Sequence, residues 1–396
     1  MTSKQPAARL ATRLAFLVAG FGVAGWAPLV PFAKHRLGVD DGVLGMLLLC
    51  IGLGSVVAMV ITGALSARYG SKPIIVAGGC GLAVILPLLA VVSTPLTLGI
   101  TLLAFGASLG SLDVAMNIHA VEVERLEAKP LMSGFHALFS VGGFAGSSLM
   151  TLLLSLHIGT LASTLLCAVL MLIAILSARP RLIETASPHD GPFFAIPRGI
   201  VLLLASLTAI TFLVEGALLD WSALLITGKG LVVAAQGGVG YMLFSIAMTC
   251  GRLGGDSLSA RIGDRAMMFW GGVLAIIGFV VLLTAPVAAL AMLGFVLIGL
   301  GASNVVPVLF RRAGSQRAMP SALAVAAITT TGYAGNLVGP AGVGFVAKGI
   351  GLPGAFWVLA ALLCLVPVCA RLVTVSAGKV EENPRRENQP ATREPF

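Results

Sequence analysis

Long apolar runs, broken only by brief polar or Gly/Pro-containing stretches, fill this chain almost end to end. Twelve are long enough to cross a bilayer. They lie near 10–32, 43–66, 74–93, 97–121, 131–156 and 160–178, then near 198–227, 235–260, 267–285, 287–311, 319–346 and 353–373. About 20 apolar residues suffice for a helical span, and the runs lack the period-2 alternation of barrel strands, so an all-α membrane protein is expected. Breakers such as Ser93-Thr94-Pro95 and Leu352-Pro353-Gly354 mark tight connections. One longer polar stretch, 179–197, divides the spans six and six, and the polar tail 374–396 is expected to be disordered. The expected organisation is thus a six-helix half over 1–178, a central loop over 179–197, a second six-helix half over 198–373 and the tail.

Composition agrees with lipid as the solvent. Hydrophobic residues make up 58% of the chain and charged residues 10%, with a mean hydropathy of +1.02; a soluble domain carries about a quarter charged residues. An even number of spans puts both termini on one face. Of the 25 Lys and Arg, only Lys34, Arg36, Lys229 and Lys348 fall on the opposite face. That asymmetry predicts cytoplasmic termini in a bacterial inner membrane. It also accounts for the net charge of +9, with no nucleic acid needed as partner. The first apolar run is long enough to stay in the membrane, so no cleaved signal is expected. The six cysteines sit inside predicted spans without metal-ligand spacing and read as packing residues, and no metal is expected. There is no P-loop, HExxH, CxxC or GxSxG, so neither ATP-driven work nor enzyme chemistry is expected, and no cofactor.

The halves repeat. Leu65-Ser66-Ala67-Arg68-Tyr69-Gly70-Ser71-Lys72 after the second run matches Leu258-Ser259-Ala260-Arg261-Ile262-Gly263-Asp264-Arg265 after the eighth. Gly143-Phe144-Ala145-Gly146 matches Gly332-Tyr333-Ala334-Gly335, and Gly25-Trp26 shares its tryptophan with Asp220-Trp221. Three matches in one order at nearly one offset indicate a duplicated six-helix unit, an architecture of secondary transporters.

At this point the chain resembles the major facilitator superfamily, over about residues 10–373. Gly63-Ala64-Leu65-Ser66-Ala67-Arg68-Tyr69-Gly70-Ser71-Lys72 is similar to that family's signature loop. In the family an acid at the position of Ala67, and of Ala260 in the second copy, helps latch the halves at the cytoplasmic side. The resemblance therefore implies that the latch is lost here or moved to another acid, such as Asp256. Gly63, Arg68, Gly70, Lys72, Arg252, Asp256 and Arg261 are the candidate gate residues. The runs that face lipid in the family, 74–93, 160–178, 267–285 and 353–370, contain no ionisable Asp, Glu, Lys, Arg or His here, as expected if charge is confined to helices around a polar path.

Asp113 is the sharpest candidate within the membrane, with Asn117 one turn further on the same face. Ser111-Leu112-Asp113-Val114-Ala115-Met116-Asn117 resembles the fourth helix of the fucose permease group, and more closely the YbjJ-like inner-membrane transporters. The resemblance implies that Asp113 carries a proton. The second acid of the fucose permeases, on their first helix, has no counterpart; that span offers only Trp26. Sugar specificity therefore does not carry over. His136 shares a face with Ser133 and Ser140 at a depth close to Asn117, which suggests a proton relay with Asp113. Glu215 is a second coupling acid. Asp220 lies about 140° around the same helix and nearer the outside. Arg252 and Asp256, four apart, read as an intrahelical ion pair. Tyr333 and Asn336, with Thr329, form a polar face for a solute, joining Trp26, Asn117 and Asp220 as candidate binding residues. Gly106 and Gly110 read as close helix packing. Glu122, Glu124, Arg125, Glu127 and Lys129 read as a solvated loop, with Glu122 close enough to a span to join a gate.

The expected function is a secondary transporter that moves a small polar solute by alternating access. It is expected to be proton-coupled and monomeric, with protons, solute and membrane lipids as its partners. A proton-driven efflux antiporter of amphipathic compounds, or a sensor or scaffold without flux, would use the same architecture.

Overall fold

The computed structural model describes residues 4–39, 41–184, 197–233 and 238–374. Most of the central loop and the tail beyond 374 lie outside the described residues, so their expected character is left as read from the sequence. Thirteen α-helices and no strand occur among the described residues. In the first half these are α1 (Lys4–Trp26), α2 (Val30–Leu37), α3 (Asp41–Tyr69), α4 (Ser71–Val91), α5 (Pro95–Glu127), α6 (Met132–Ser155) and α7 (Thr160–Ala178). In the second half they are α8 (Ile200–Gly228), α9 (Val239–Thr284), α10 (Ala288–Ala302), α11 (Val305–Ser315), α12 (Ser321–Leu363) and α13 (Leu365–Thr374).

Among the described residues, ten helical stretches are long and apolar enough to cross a membrane. Two of the long helices reverse. Gly263 in α9 adopts φ 78° and ψ 161°, and Gly351 in α12 adopts φ 76° and ψ 164°. The packing of α10 shows what this does. A Cβ on Gly299 would strike the Phe244 carbonyl, and one on Gly301 would strike the Ala275 amide. In a straight helix Phe244 and Ala275 would lie about 46 Å apart, yet two nearby residues of α10 touch both. α9 is therefore two antiparallel limbs, 239–262 and 264–284. Counting α12 likewise gives twelve crossings. The expected tenth span is also divided, because the Asn304 side chain donates to Gly251 O at 3.0 Å and to Ser303 Oγ at 2.8 Å where α10 gives way to α11.

The repeat is visible in backbone and side chains alike. Gly70, between α3 and α4, has φ 78° and ψ 166°, nearly the conformation of its counterpart Gly263. A positive φ costs glycine least, which is why both copies keep it. At the opposite end, Arg36 donates to Leu89, Ala90 and Val92 carbonyls at 2.6–2.9 Å. Lys229 donates to Leu282 and Leu283 carbonyls at 3.1 and 2.7 Å. Arg36 and Lys229, Leu89 and Leu282, and Ala90 and Leu283 are each 193 residues apart. Two of the four cations expected on that face thus cap the last carbonyls of the third helix of their own half.

Within each half, glycines bring backbones together. Gly106 and Gly110 of α5 sit against Ile51 and Ser55 carbonyls of α3, as their spacing suggested, and Gly146 and Gly335 sit against Phe21 and Ala209 carbonyls. His119, buried in α5, ties the start of the central loop to α1. Ile183 N–H donates to its Nε2 at 3.1 Å, so Nδ1 carries the proton and faces Thr12 Oγ1 at 3.0 Å.

Candidate functional site

Asp113 stands in the middle of α5 and is only 8% exposed. One turn on, Asn117 donates from Nδ2 to the Asp113 carbonyl at 2.9 Å and to Oδ1 at 3.2 Å. From the other half, Tyr333 of α12 packs against Val114 and Ala326, which brings its side chain beside the Asp113 carboxylate. Tyr333 packs edge-on against Phe212 of α8, with ring centroids 6.1 Å apart. Asn336, one turn along α12 and exposed, approaches Gly216 of α8 so closely that a Cβ there would collide with its amide oxygen. Toward the termini, Met59, Val114 and Ala326 form a small apolar plug contributed by both halves. The intramembrane acid therefore sits at the seam, with a donor from its own helix, Tyr333 of the other half beside it and a dry contact below it.

A second polar cluster lies on the other side of α8. Glu215 Oε1 is 3.7 Å from Arg252 Nη2, and both side chains are largely buried. Arg252 Nε donates to Ser303 O at 3.3 Å, and Nη1 reaches across the halves to Ser140 Oγ at 3.2 Å. The expected Arg252–Asp256 pair is not formed. Arg252 turns to Glu215, and Asp256 turns to the start of α6, where it accepts from Ser133 N at 2.9 Å and Gly134 N at 2.8 Å. The unsatisfied amides at a helix N-terminus are a strong competitor for a carboxylate. The expected Asp113–His136 relay is not formed either. His136 is held between Phe16 and Phe310, at 5.2 and 5.5 Å, with Nε2 unpartnered. Asn117 Oδ1 and Glu215 Oε1 are likewise buried without a hydrogen-bond partner.

On the terminus side an ionic network closes the bundle. Glu124 is 6% exposed rather than part of a solvated loop. Its Oε2 accepts from Leu131 N at 2.7 Å and Met132 N at 2.8 Å, and its Oε1 bonds Arg311 Nε of α11. Arg311 also bonds Ser259 Oγ at 2.9 Å and pairs with Asp264, which pairs with Arg312 at 2.7 Å. Four successive amides at the start of α6 are thus shared by two acids, Glu124 from their own half and Asp256 from the other. Glu124, Asp264, Arg311 and Arg312, which form this network, were not among the candidate gate residues. The available signal was the Ser71/Asp264 difference between the two repeat copies, which leaves an acid only in the second.

The signature-loop residues divide in role. Gly63 packs so closely on Ala326 of α12 that a Cβ would overlap its side chain. Lys72 pairs with Glu184 at 3.0 Å, Arg68 lies over the Tyr69 ring at 5.3 Å, and Arg261 is exposed. Trp26 is buried in the first half's core with its indole N–H unpartnered, and Asp220 is exposed toward the face opposite the termini. Neither adjoins the Asp113 cluster through a described bond. Among the described residues no three His, Cys, Asp or Glu side chains converge to hold a metal ion.

Residues 13–318 match the family model described as Major Facilitator Superfamily. The chain is 48% identical over 367 residues to an uncharacterised MFS-type transporter of Yersinia pestis, covering 92% of this chain and 96% of that protein. Among solved structures, FucP in the outward conformation superposes with a TM-score of 0.78 at 14% identity, over 94% of this chain and 99% of that one; FucP is the E. coli fucose:proton symporter. The human organic anion transporter MFSD10 superposes with a TM-score of 0.74 at 17% identity, over 93% of this chain and 100% of that one.

Proposed function

The chain belongs to the major facilitator superfamily, and we propose that it is a proton-coupled secondary transporter of a small polar solute. In this reading both termini are cytoplasmic, the membrane is a bacterial inner membrane, and one chain, organised as halves 1–178 and 198–373 around the loop 179–197, is the working unit. The observation that carries it is the buried Asp113 at the seam, bonded by Asn117 of its own helix and flanked by Tyr333 of the other half.

The chemistry follows from that position. A carboxylate held away from water needs donors, and Asp113 has Asn117 from its own helix, with Tyr333 of the other half packed beside it. Rocking that draws α12 away from α5 takes the Tyr333 side chain from beside the acid. The acid must then gain water or a proton, and a proton lets it stay buried as a neutral group. Proton occupancy and the relation of the halves thereby become linked quantities. The unpartnered Asn117 Oδ1, with Tyr333 and the exposed Asn336, offers a solute both acceptors and donors. With cytoplasmic termini, the ionic closure lies inside, and the conformation is the outward-facing one.

The test begins with a thermal-shift screen against sugars, organic acids, amino acids and cationic drugs, since a ligand of the folded state raises its stability. The solute found is then followed in proteoliposomes under a pH gradient. Asp113→Asn should retain the shift and abolish concentrative uptake. Accumulation by the variant at the wild-type level would remove Asp113 from the coupling role.

A further inference from the structure

α3 and α4 join at the Gly70 turn on the terminus-side face and both pack along α5, with a gap left between them. The result is a cleft on the outside of the bundle, away from the seam. Two cavities occupy it. One, of about 570 Å³, is lined by Tyr69, Lys72, Pro73, Ala77, Cys80 and Arg179 among others. The next, of about 470 Å³, shares Tyr69, Pro73 and Ala77 with the first and continues to Thr62, Ser108 and Ser111. The shared residues Tyr69, Pro73 and Ala77 are exposed on the surface that faces lipid.

Chemistry changes along this cleft in one direction. At its mouth stand two cations from different helices, Lys72 in the first turn of α4 and Arg179 immediately after α7. Arg179 is exposed and has no ion-pair partner among the described residues. The partner of Lys72, Glu184, is itself 81% exposed, so their pair is a weak surface one that another anion can replace. Past the mouth the walls are Ala77, Ile74, Leu65 and Ala107, with the backbone of Gly78 as floor. Gly78 lies against Ser108 and Leu112 of α5, with 2.9 Å from its would-be Cβ to the Ser108 carbonyl, so no side chain can fill the floor. Positive charge at headgroup depth, followed by an apolar trough that runs inward, matches the layout of a phospholipid with a net negative headgroup.

We propose that the two cavities form one groove for an anionic phospholipid, its phosphate between Lys72 and Arg179 and one acyl chain along Ala77 toward Ser111. This site is separate from Asp113 and Glu215 and independent of the transported solute. It braces α3 against α4 at the Gly70 turn, on the lipid side of the helix whose other face forms the seam with α12.

The full chain, delipidated in a neutral detergent, is titrated with phosphatidylglycerol, with phosphatidylcholine of the same acyl chains, and with soluble glycerophosphate. Retained lipid is read by native mass spectrometry and stability by thermal unfolding. Phosphatidylglycerol alone should give a retained adduct and a raised midpoint. The variant K72A/R179A should bind it roughly 30-fold more weakly, since each basic residue near a membrane surface adds about a factor of five. Ala77→Trp, which fills the trough and leaves both cations, should also lose the adduct, while Arg13→Ala, an exposed cation of α1, should keep it. Equal retention of the two lipids, an unchanged adduct on K72A/R179A, or the same stabilisation by glycerophosphate would overturn the proposal. The last result would assign the cations to a free anion instead.

Discussion

The two seams that join the halves are built from equivalent helices and closed by opposite means. Where α9 meets α6, the contact is ionic: Asp256 caps α6, and Arg311 links Glu124 to Asp264. Where α3 meets α12, the contact is steric: Gly63 lies against Ala326, and Met59 and Val114 complete a dry plug. Gly63 and Asp256 are 193 residues apart, the offset of the repeat. One position in the duplicated unit thus became a carboxylate in one copy and the absence of a side chain in the other. A carboxylate reaching a helix start tolerates small displacements and can be replaced by water as it leaves. A glycine packed against an alanine methyl tolerates almost none. The ionic seam is suited to act as a catch and the steric seam as a bearing.

Removing the shared acid should break this contrast most severely. Glu124→Ala leaves Arg311 without one of its two acids and two α6 amides without an acceptor. Truncating one partner of a buried ion pair costs about 3–5 kcal/mol. Spin labels at the exposed Leu126 and Arg317 should report a longer distance, and the unfolding midpoint should fall. An unchanged distance distribution would mean that the network does not hold the halves.

Asp256→Ala should act on the seam alone, because Asp256 belongs to the half opposite α6. Its charged hydrogen bonds are worth about 1.5–3 kcal/mol. The same label pair should shift toward the open distance with little change in the unfolding midpoint. A drop in midpoint as large as that of Glu124→Ala would show that Asp256 supports its own half instead.

The smallest effect is expected from Gly63→Ala, whose new methyl must displace Ala326 at a cost of about 1 kcal/mol. Its energetic effect should add to that of Asp256→Ala within about 0.5 kcal/mol, since the two seams share no partner. Strong coupling between them would mean the seams move as one rigid contact.

Legibility in the sequence followed the range of the interaction. Spans, tight turns and the repeat are local or periodic, and Gly70 and Gly263 announced their reversals because both copies kept the same residue in the same frame. Asp113 and Asn117, one turn apart, were legible together for the same reason. Tyr333 was seen as part of a polar face, but its place beside Asp113 spans two halves of the chain and no spacing encodes it. The Arg252–Asp256 pairing failed on a competition: helical spacing permits the pair, but the bare start of α6 draws Asp256 away and leaves Arg252 to Glu215. Glu124 was misread because a charge near a span end looks the same in sequence whether it faces water or a neighbouring helix.

The start of α6 is held by one acid that stays with it and one that departs with the other half. When the halves part, Leu131 and Met132 keep their acceptor, and only Ser133 and Gly134 must find water. The first turn of the helix therefore need not fray for the catch to release. The activation barrier contains the parting of Arg311 from Glu124 and the loss of a single carboxylate from two amides, not the unwinding of a helix end. Reclosure needs only that Arg311 meet Glu124 again and that Asp256 return to a docking point that never lost its shape. Such an end-cap favours rapid, repeated cycling over a long-lived lock.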